Sequence, residues 1–297
     1  MVGIRLEGRL GNQLFQCAFI LAVSKRVGAQ FFVDQYVEPS VVDKYFAGIK
    51  GKSGINSLAT RGVSRVFRIK GFKNIFSFYL RRFFYRGFAL VTGFPLMEYD
   101  YQARVEETSV QDNCIYHGYF QSEKFFKAFE GLIRERFVLK DLYINRFQQK
   151  FGGFYKENRV VTIHIRRTDY QNLGHLELGS KDLSLPLNYY KNAISKFDGQ
   201  NVQFVFISDD RNFVVENFKE IPNKTISEDD EITDFQHLLN ADACIISNST
   251  FSWWGAWLNE KRGKLIYAPR YFMGWRVKEE TPAGIYPDDW NLIDFSY

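Results

Sequence analysis

His164-Ile165-Arg166-Arg167-Thr168-Asp169, Ser208-Asp209-Asp210 and Ser247-Asn248-Ser249-Thr250 are three polar clusters, and each follows directly on an apolar run. Arginine is planar and permanently charged, so Arg166 and Arg167 suit bidentate contacts to phosphate oxygens. The hydroxyl and amide side chains of Ser247, Asn248, Ser249 and Thr250 lead into a helix, where free backbone N–H groups can hold an anion. Asp209, at the end of a strand, can accept from a purine ring N–H and amino group or from ribose hydroxyls. Singly, each cluster has an ordinary structural use. Arg166, Arg167 and Asp169 would make a surface ion-pair group, and the other two clusters would cap helices. Three such clusters at successive strand ends are harder to account for as capping.

The elements that would carry them are legible. Residues 159–165, 202–207, 243–246 and 264–268 read as buried strands, separated by helices centred near 190–197, 213–218 and 235–239. Strands alternating with helices predict a parallel sheet that binds ligands beyond the carboxyl ends of its strands, where the three loops converge. The chain opens in the same way. Val2, Ile4 and Leu6 alternate, the loop Gly8-Arg9-Leu10-Gly11-Asn12-Gln13 follows, and Leu14, Phe15, Ala18, Leu21 and Ala22 then recur at helical spacing before a strand at 30–34. Gly8 and Gly11 permit close approach of the backbone to a ligand. Further on, a strand at 114–119 leads to a helix capped by Ser122. Another helix spans about 142–151 and is ended by Gly152-Gly153. That break sets the expected domain boundary, giving domains 1–152 and 153–297. Residues 65–92 mix Phe and Tyr with Arg and Lys. They read as a half-buried packing segment, with peripheral contact to a membrane surface as the alternative.

The totals agree with this outline. The chain has 297 residues, a length that suits two domains. It is 45% apolar and 25% charged, as soluble globular proteins are. A net charge of +5 suits an anionic small molecule or membrane surface and is too weak to argue for nucleic acid. Cys17, Cys114 and Cys244 are far apart and lack zinc-ligand spacing, which suggests a reduced cytoplasmic protein. No run reaches the ~18 apolar residues that a membrane span needs, and Glu7 and Arg9 interrupt any signal-peptide core. Asp229-Asp230 reads as a solvated acidic loop and not as a metal motif.

His164-Ile165-Arg166-Arg167-Thr168-Asp169-Tyr170 resembles the His-x-Arg-Arg-x-Asp signature of α1,2-, α1,6- and protein O-fucosyltransferases. The run Ser247-Asn248-Ser249-Thr250-Phe251-Ser252-Trp253-Trp254-Gly255-Ala256-Trp257-Leu258 closely resembles a signature of the α1,2-fucosyltransferases, glycosyltransferase family 11. Gly8 to Gln16 and Ile207 to Asp210 match two further motifs of that family, in the family's order.

The resemblance implies an α/β fold of GT-B type, with two Rossmann-like domains facing a central cleft, GDP-fucose in the second and the acceptor side in the first. It implies inverting transfer of L-fucose from GDP-fucose to the 2-hydroxyl of a galactoside acceptor glycan, with no cofactor or metal. It points to a bacterial, cytoplasmic form working in surface-polysaccharide assembly, without the transmembrane anchor of animal relatives. Residue by residue, Arg166 would stabilise the departing β-phosphate, and Arg167 would assist it or brace Asp169. His164 and Asp209 would hold ribose and guanine, Ser247 to Thr250 the phosphates, and Asn12 would reach the sugar. Asp169 is the expected general base, with His175 as the runner-up. Another linkage or nucleotide sugar is the alternative, and a non-catalytic binding module ranks lower.

Overall fold

The computed structural model describes residues 1–34, 40–49, 94–101, 104 and 108–295, in two compact units, Met1–Val138 and Leu139–Tyr297. The basic aromatic segment 65–92 lies outside the described residues.

In the first unit, β1 (Val2–Arg5) is buried throughout and pairs on one side with β2 (Phe31–Asp34). The Arg5↔Asp34 register lets Arg5 Nε donate to the Asp34 carboxylate at 3.1 Å, a buried ion pair. α1 (Leu10–Val27) connects the two strands and stops at Gly28, which adopts φ +65°. Lys25 and Arg26 occupy its last turn, where cations complement the helix dipole. A short helix α2 (Val42–Tyr45) follows. On the other side of β1 lie β4 (Ile115–His117) and then β3 (Leu96–Glu98), giving an all-parallel sheet of order β2-β1-β4-β3. α1 is sealed by aromatic packing, with Phe19 stacked on Phe120 at 3.7 Å between centroids and edge-on to Tyr116 at 5.1 Å.

The helix expected after Ser122 is instead two 3-10 turns, Glu123–Phe125 and Lys127–Phe129, leading into α3 (Glu130–Arg136). Ser122 does cap the first turn, accepting from the Lys124 N–H at 3.3 Å. The adjacent rings of Phe125 and Phe126 are both buried, which a helix with a single buried face does not accommodate.

The second unit begins with α4 (Asp141–Glu157), which runs straight through Gly152-Gly153. The division between units falls after Val138, so the expected boundary at 152/153 is displaced. Glycine costs a helix about 1 kcal/mol relative to alanine, but α4 is anchored on both sides of the pair. Phe147 and Phe151 contact the His237 ring at 5.2 and 4.6 Å, and the Tyr155 hydroxyl bonds His237 Nδ1 at 2.8 Å. Packing therefore overrides the local break.

After α4 come β5 (Val160–Ile165), α5 (Leu187–Ile194), β6 (Gln203–Ser208), α6 (Arg211–Asn217) and β7 (Lys224–Ile226). The chain then forms α7 (Glu231–Asn240), which bears His237, β8 (Ala243–Ile245), α8 (Thr250–Leu258), β9 (Leu265–Pro269) and β10 (Asn291–Ile293). The sheet is all-parallel in the order β10-β9-β8-β5-β6-β7. From β5 the chain fills one side, then crosses over and fills the other from β8. One face buries Val161, Ile163 and Ile165 with Tyr189, Tyr190 and Phe206. On α8, Trp253 and Trp254 are fully buried, and Trp253 Nε1 donates to the Ile285 carbonyl at 2.8 Å. Asp229 and Asp230 lie before α7. Asp230 caps that helix and pairs with Arg146, and Asp229 pairs with Lys150.

Gly255 marks where α8 meets α7, since a Cβ there would lie 2.6 Å from Leu238 Cβ. Gly255→Ala gains about 1 kcal/mol of helix propensity but incurs an overpacking penalty of about 1–3 kcal/mol against a near-backbone atom. Net destabilisation is expected, seen as a lower urea midpoint at unchanged slope.

Candidate functional site

β5 and β8 are hydrogen-bonded neighbours, with Ile163 opposite Ile245, yet the chain leaves them in opposite directions. β5 leads to β6 on one side and β8 to β9 on the other. Loops that diverge from adjacent parallel strands open a crevice beyond the carboxyl ends, the usual ligand position in such sheets. His164 and Ser247 meet there, Nδ1 to Oγ at 2.8 Å, both buried. Burial, reinforced by the nearby Arg166 charge, pushes the His164 imidazole down to about 3. It is neutral at neutral pH and hydrogen-bonds without adding charge.

Arg166 and Arg167 follow at the end of β5. Arg166 Nη2 donates to Asp169 Oδ2 at 2.8 Å, and its Nη1 lies 3.2 Å from Asp209 Oδ2. Burial works against the guanidinium charge, but the Asp169 hydrogen bond and the Asp209 and Asp169 charges outweigh it and raise the pKa. Arg167 Nε donates to Asp210 Oδ2 at 3.2 Å, and its guanidinium lies 3.8 Å from the centroid of the Phe213 ring. Asp209 accepts from the N–H of Arg167 at 2.9 Å, from the N–H of Thr168 at 3.2 Å, and from the Thr168 hydroxyl. One carboxylate on β6 thereby shapes the loop that leaves β5. Asp210 caps α6 through the Phe213 N–H at 3.1 Å.

Ser247, Asn248 and Ser249 are buried between β8 and α8. Asn248 Nδ2 donates to the Leu183 carbonyl at 2.9 Å, while its Oδ1 is buried without a hydrogen-bond partner. Ser249 occupies the N-cap position of α8 without a side-chain cap bond, and Thr250 is the first helical residue. The first turn of α8 thus presents backbone N–H groups beside the arginine loop's strand end, an arrangement suited to an anion. Tyr170, to which residue type and spacing assigned no role, lies 5.8 Å from the Arg166 guanidinium and close to Ser249. It stands between the first and third clusters, and its only sequence signal is its position next to Asp169.

Not every expected residue gathers here. His175 is exposed on the 3-10 turn Gly174–Leu176, and no hydrogen bond or ion pair among the described residues joins it to the cluster. Gly8, Gly11 and Asn12 belong to the first unit. Gly8 adopts φ +78°, which favours glycine, and a Cβ there would lie 2.5 Å from Asn12 Nδ2, so another residue would push the Asn12 amide aside. Asn12 Oδ1 accepts from Gln121 Nε2 at 3.0 Å. Gln13 and Gln16, fully buried polar residues in the same motif, hold the loop. Gln13 bonds the Gly8 carbonyl and the Val41 N–H, while Gln16 bonds the Glu7 N–H and the Gly118 carbonyl. Among the described residues, no group of three or more His, Cys, Asp or Glu could hold a metal ion. No helix among them is long and apolar enough to cross a membrane.

The profile of glycosyl transferase family 11 matches residues 92–294. The Escherichia coli O-antigen biosynthesis glycosyltransferase WbnK is 33% identical over 175 residues, 54% of this chain and 56% of that protein. An alpha-1,2-colitosyltransferase from Escherichia coli is 28% identical over 199 residues, 63% of this chain and 64% of that protein. The matches therefore span about 56% and 64% of the lengths of these two curated relatives. Among solved structures, fucosyltransferase NodZ from Bradyrhizobium superposes with a TM-score of 0.51 at 15% identity, covering 86% of this chain and 91% of that one. Arabidopsis thaliana FUT1 in complex with GDP gives 0.53 at 9% identity, covering 90% and 69%. These likenesses show an α/β fold of GT-B type.

The low His164 value has a measurable consequence. An unfolded histidine takes its proton near 6.5, the folded one only near 3. Stability is therefore lost as pH falls below about 6.5, by about 1.4 kcal/mol per unit for this residue. His237, pushed down to about 4 by burial, acts in the same direction; Asp234, pushed up to about 7 by burial, acts in the opposite one. The parent-minus-variant difference isolates His164. Between pH 7 and pH 5, denaturant unfolding of His164→Gln should lack about 2 kcal/mol of the parent's acid destabilisation.

Proposed function

The chain belongs to glycosyl transferase family 11, and from that premise we propose that it is an inverting fucosyltransferase. It would transfer L-fucose from GDP-fucose to the 2-hydroxyl of a terminal galactose, in assembly of a surface polysaccharide such as O-antigen. The observation that carries the reading is the convergence at the β5/β8 switch point of two arginines, a buried neutral His–Ser pair and the first turn of α8. These are the parts a diphosphate leaving group needs. The motif resemblance and the names of the two curated relatives support the chemistry.

In this reading Arg166 faces the β-phosphate oxygen that gains charge as the glycosidic bond breaks, and the N–H groups at the start of α8 hold the other phosphate oxygens. Arg167, stacked on Phe213, adds fixed positive charge. His164 and Ser247 supply hydrogen bonds to the nucleoside side. Asp209 acts mainly through the loop it shapes, with its outer edge open to ribose or base. Asp169 is already engaged by Arg166, which suits it to aiming the guanidinium. A carboxylate held by an arginine is a weakened proton acceptor. His175 lacks the orienting partner that a general base needs.

A second reading keeps the fold and the mechanism but changes the sugar. The relation to the alpha-1,2-colitosyltransferase favours GDP-colitose as the donor to compare. Purified protein incubated with either nucleotide sugar and a panel of β-galactosides, followed by mass and linkage analysis, separates the two. Preferential transfer of fucose to O2 of galactose is the expected outcome. Preference for the colitosyl donor would move the assignment to the second reading, and no transfer from either would overturn both. With the preferred donor, Arg166→Ala should lower kcat by about 10²–10³. A variant with parental turnover would overturn the leaving-group assignment.

A further inference from the structure

A cluster of a different kind lies at the carboxyl edge of the first sheet. β1 and β4 are adjacent and parallel. The chain leaves β1 through α1 towards β2, whereas from β4 it runs on to the 3-10 turns. Diverging exits of this kind are where open parallel sheets bind ligands. Glu7, just past β1, and His117, the last residue of β4, meet there, with Nε2 to Oε2 at 2.9 Å. Glu98, the last residue of β3, stands opposite His117 in the strand register, its Oε1 3.9 Å from Nδ1. All three side chains reach solvent, being 25% exposed for His117, 37% for Glu7 and 57% for Glu98. Tyr119 follows β4, and its half-buried ring meets that of Tyr101 edge to face at 5.5 Å.

This chemistry is unlike that of the arginine-bearing edge in the second unit. The hydrogen bond to His117 outweighs burial and holds the Glu7 carboxyl below its ordinary value, so Glu7 is an anion. Burial, with the Glu7 charge beside it, pushes the Tyr119 phenol up to about 12, so it stays a neutral hydroxyl. A carboxylate only accepts hydrogen bonds, whereas a phenol both donates and accepts. Carboxylates with oxygens in solvent call for a ligand that brings donors. An ionised phosphate brings only repulsion. Among the described residues no group of three or more His, Cys, Asp or Glu could hold a metal ion. Sugar hydroxyls meet the requirement, and the aromatic rings next to the carboxylates suit the C–H face of the same sugar.

An ordinary role for the Glu7–His117 pair would be to pin the Gly8 loop to the end of β4. Gln16 already performs that function, being fully buried and bonded at once to the Glu7 N–H and the Gly118 carbonyl.

We propose that Tyr119, with the Glu7–His117 pair and Glu98, forms a sugar-binding subsite of the first unit that holds a hexose ring of the acceptor glycan. Glu7 and Glu98 accept from the ring's hydroxyls, Tyr119 packs against its C–H face, and His117 braces Glu7. The subsite binds and takes no part in bond making or breaking. The inference rests on the proposed transfer to a glycan.

The test measures binding of the β-galactoside panel by titration calorimetry for the parent, Tyr119→Ala, Tyr119→Phe and Glu7→Gln. Acceptor KM, GDP affinity and the calorimetric melt are recorded alongside. Tyr119→Ala should weaken the best-bound galactoside by about fivefold or more, and Tyr119→Phe, which keeps the ring, by less. Glu7→Gln should weaken it by about tenfold. Acceptor KM should rise in step, while GDP binds within about twofold of the parent. Galactoside affinity and acceptor KM within about twofold of the parent in both Tyr119→Ala and Glu7→Gln would overturn the proposal and leave the transferase reading intact. So would a Tyr119→Ala protein that has lost its parental melt beside a Glu7→Gln protein that keeps parental melt and affinity. A parent that binds galactosides but transfers no sugar would overturn the transferase reading alone, and one that does neither would overturn both.

Discussion

The carboxylate of Asp209 is the constraint on which the second unit's site depends. It stands at the end of β6 but accepts from two consecutive backbone N–H groups and a hydroxyl in the loop leaving β5, and lies within ion-pair distance of Arg166. Hydrogen bonds to an ionised acceptor are about twice as strong as neutral ones. Several converging on one group turn a flexible strand exit into a fixed platform. The directions of Arg166 and Arg167 follow from it. Arg166 is held between Asp169 and Asp209, and Arg167 between Asp210 and the Phe213 ring. Rigid placement of this kind lets a cation stabilise developing charge without reorganising.

The first unit solves the same problem with neutral groups. Gln13 and Gln16 project from α1 into its buried side and bond backbone at four places in the loops around them. A buried amide that meets its partners carries no desolvation penalty for charge, so it can sit inside a helix packed on nearly all sides. Gly8 completes the arrangement by leaving room for Asn12. The two sheets thus share one logic, in which a strand end is stiffened by side chains reaching over from a neighbouring element.

The long buried strands were legible because apolar runs of the length of β5 and β6, bounded by polar turns, suit little besides a strand covered on both faces. The three polar clusters were legible because arginine and hydroxyl residues at strand ends have a limited range of uses. β3, β7 and β10 have three residues each, one of them charged or an amide (Glu98, Lys224 and Asn291), so unlike the equally short, apolar β8 they offer no run to read, and only pairing to a neighbour defines them. Gly152-Gly153 read as a stop because local propensity was weighed without the aromatic ring contacts that hold α4 to α7. The loop-shaping role of Asp209 was not legible, because a sequence does not show which donors will come within reach of a carboxylate. Glu7 and His117 lie 110 residues apart, and only the pairing of β4 with β1 brings them together.

The tryptophans give the molecule an optical asymmetry. All five belong to the second unit, at positions 253, 254, 257, 275 and 290, and four of them form one cluster around α8. Indole emission therefore reports on one half of the chain alone. Loosening of the α8 cluster dims or shifts the signal, while the tyrosine-bearing first unit unfolds unseen at that wavelength. A fluorescence melt and a calorimetric trace of this protein measure different events whenever its halves part company.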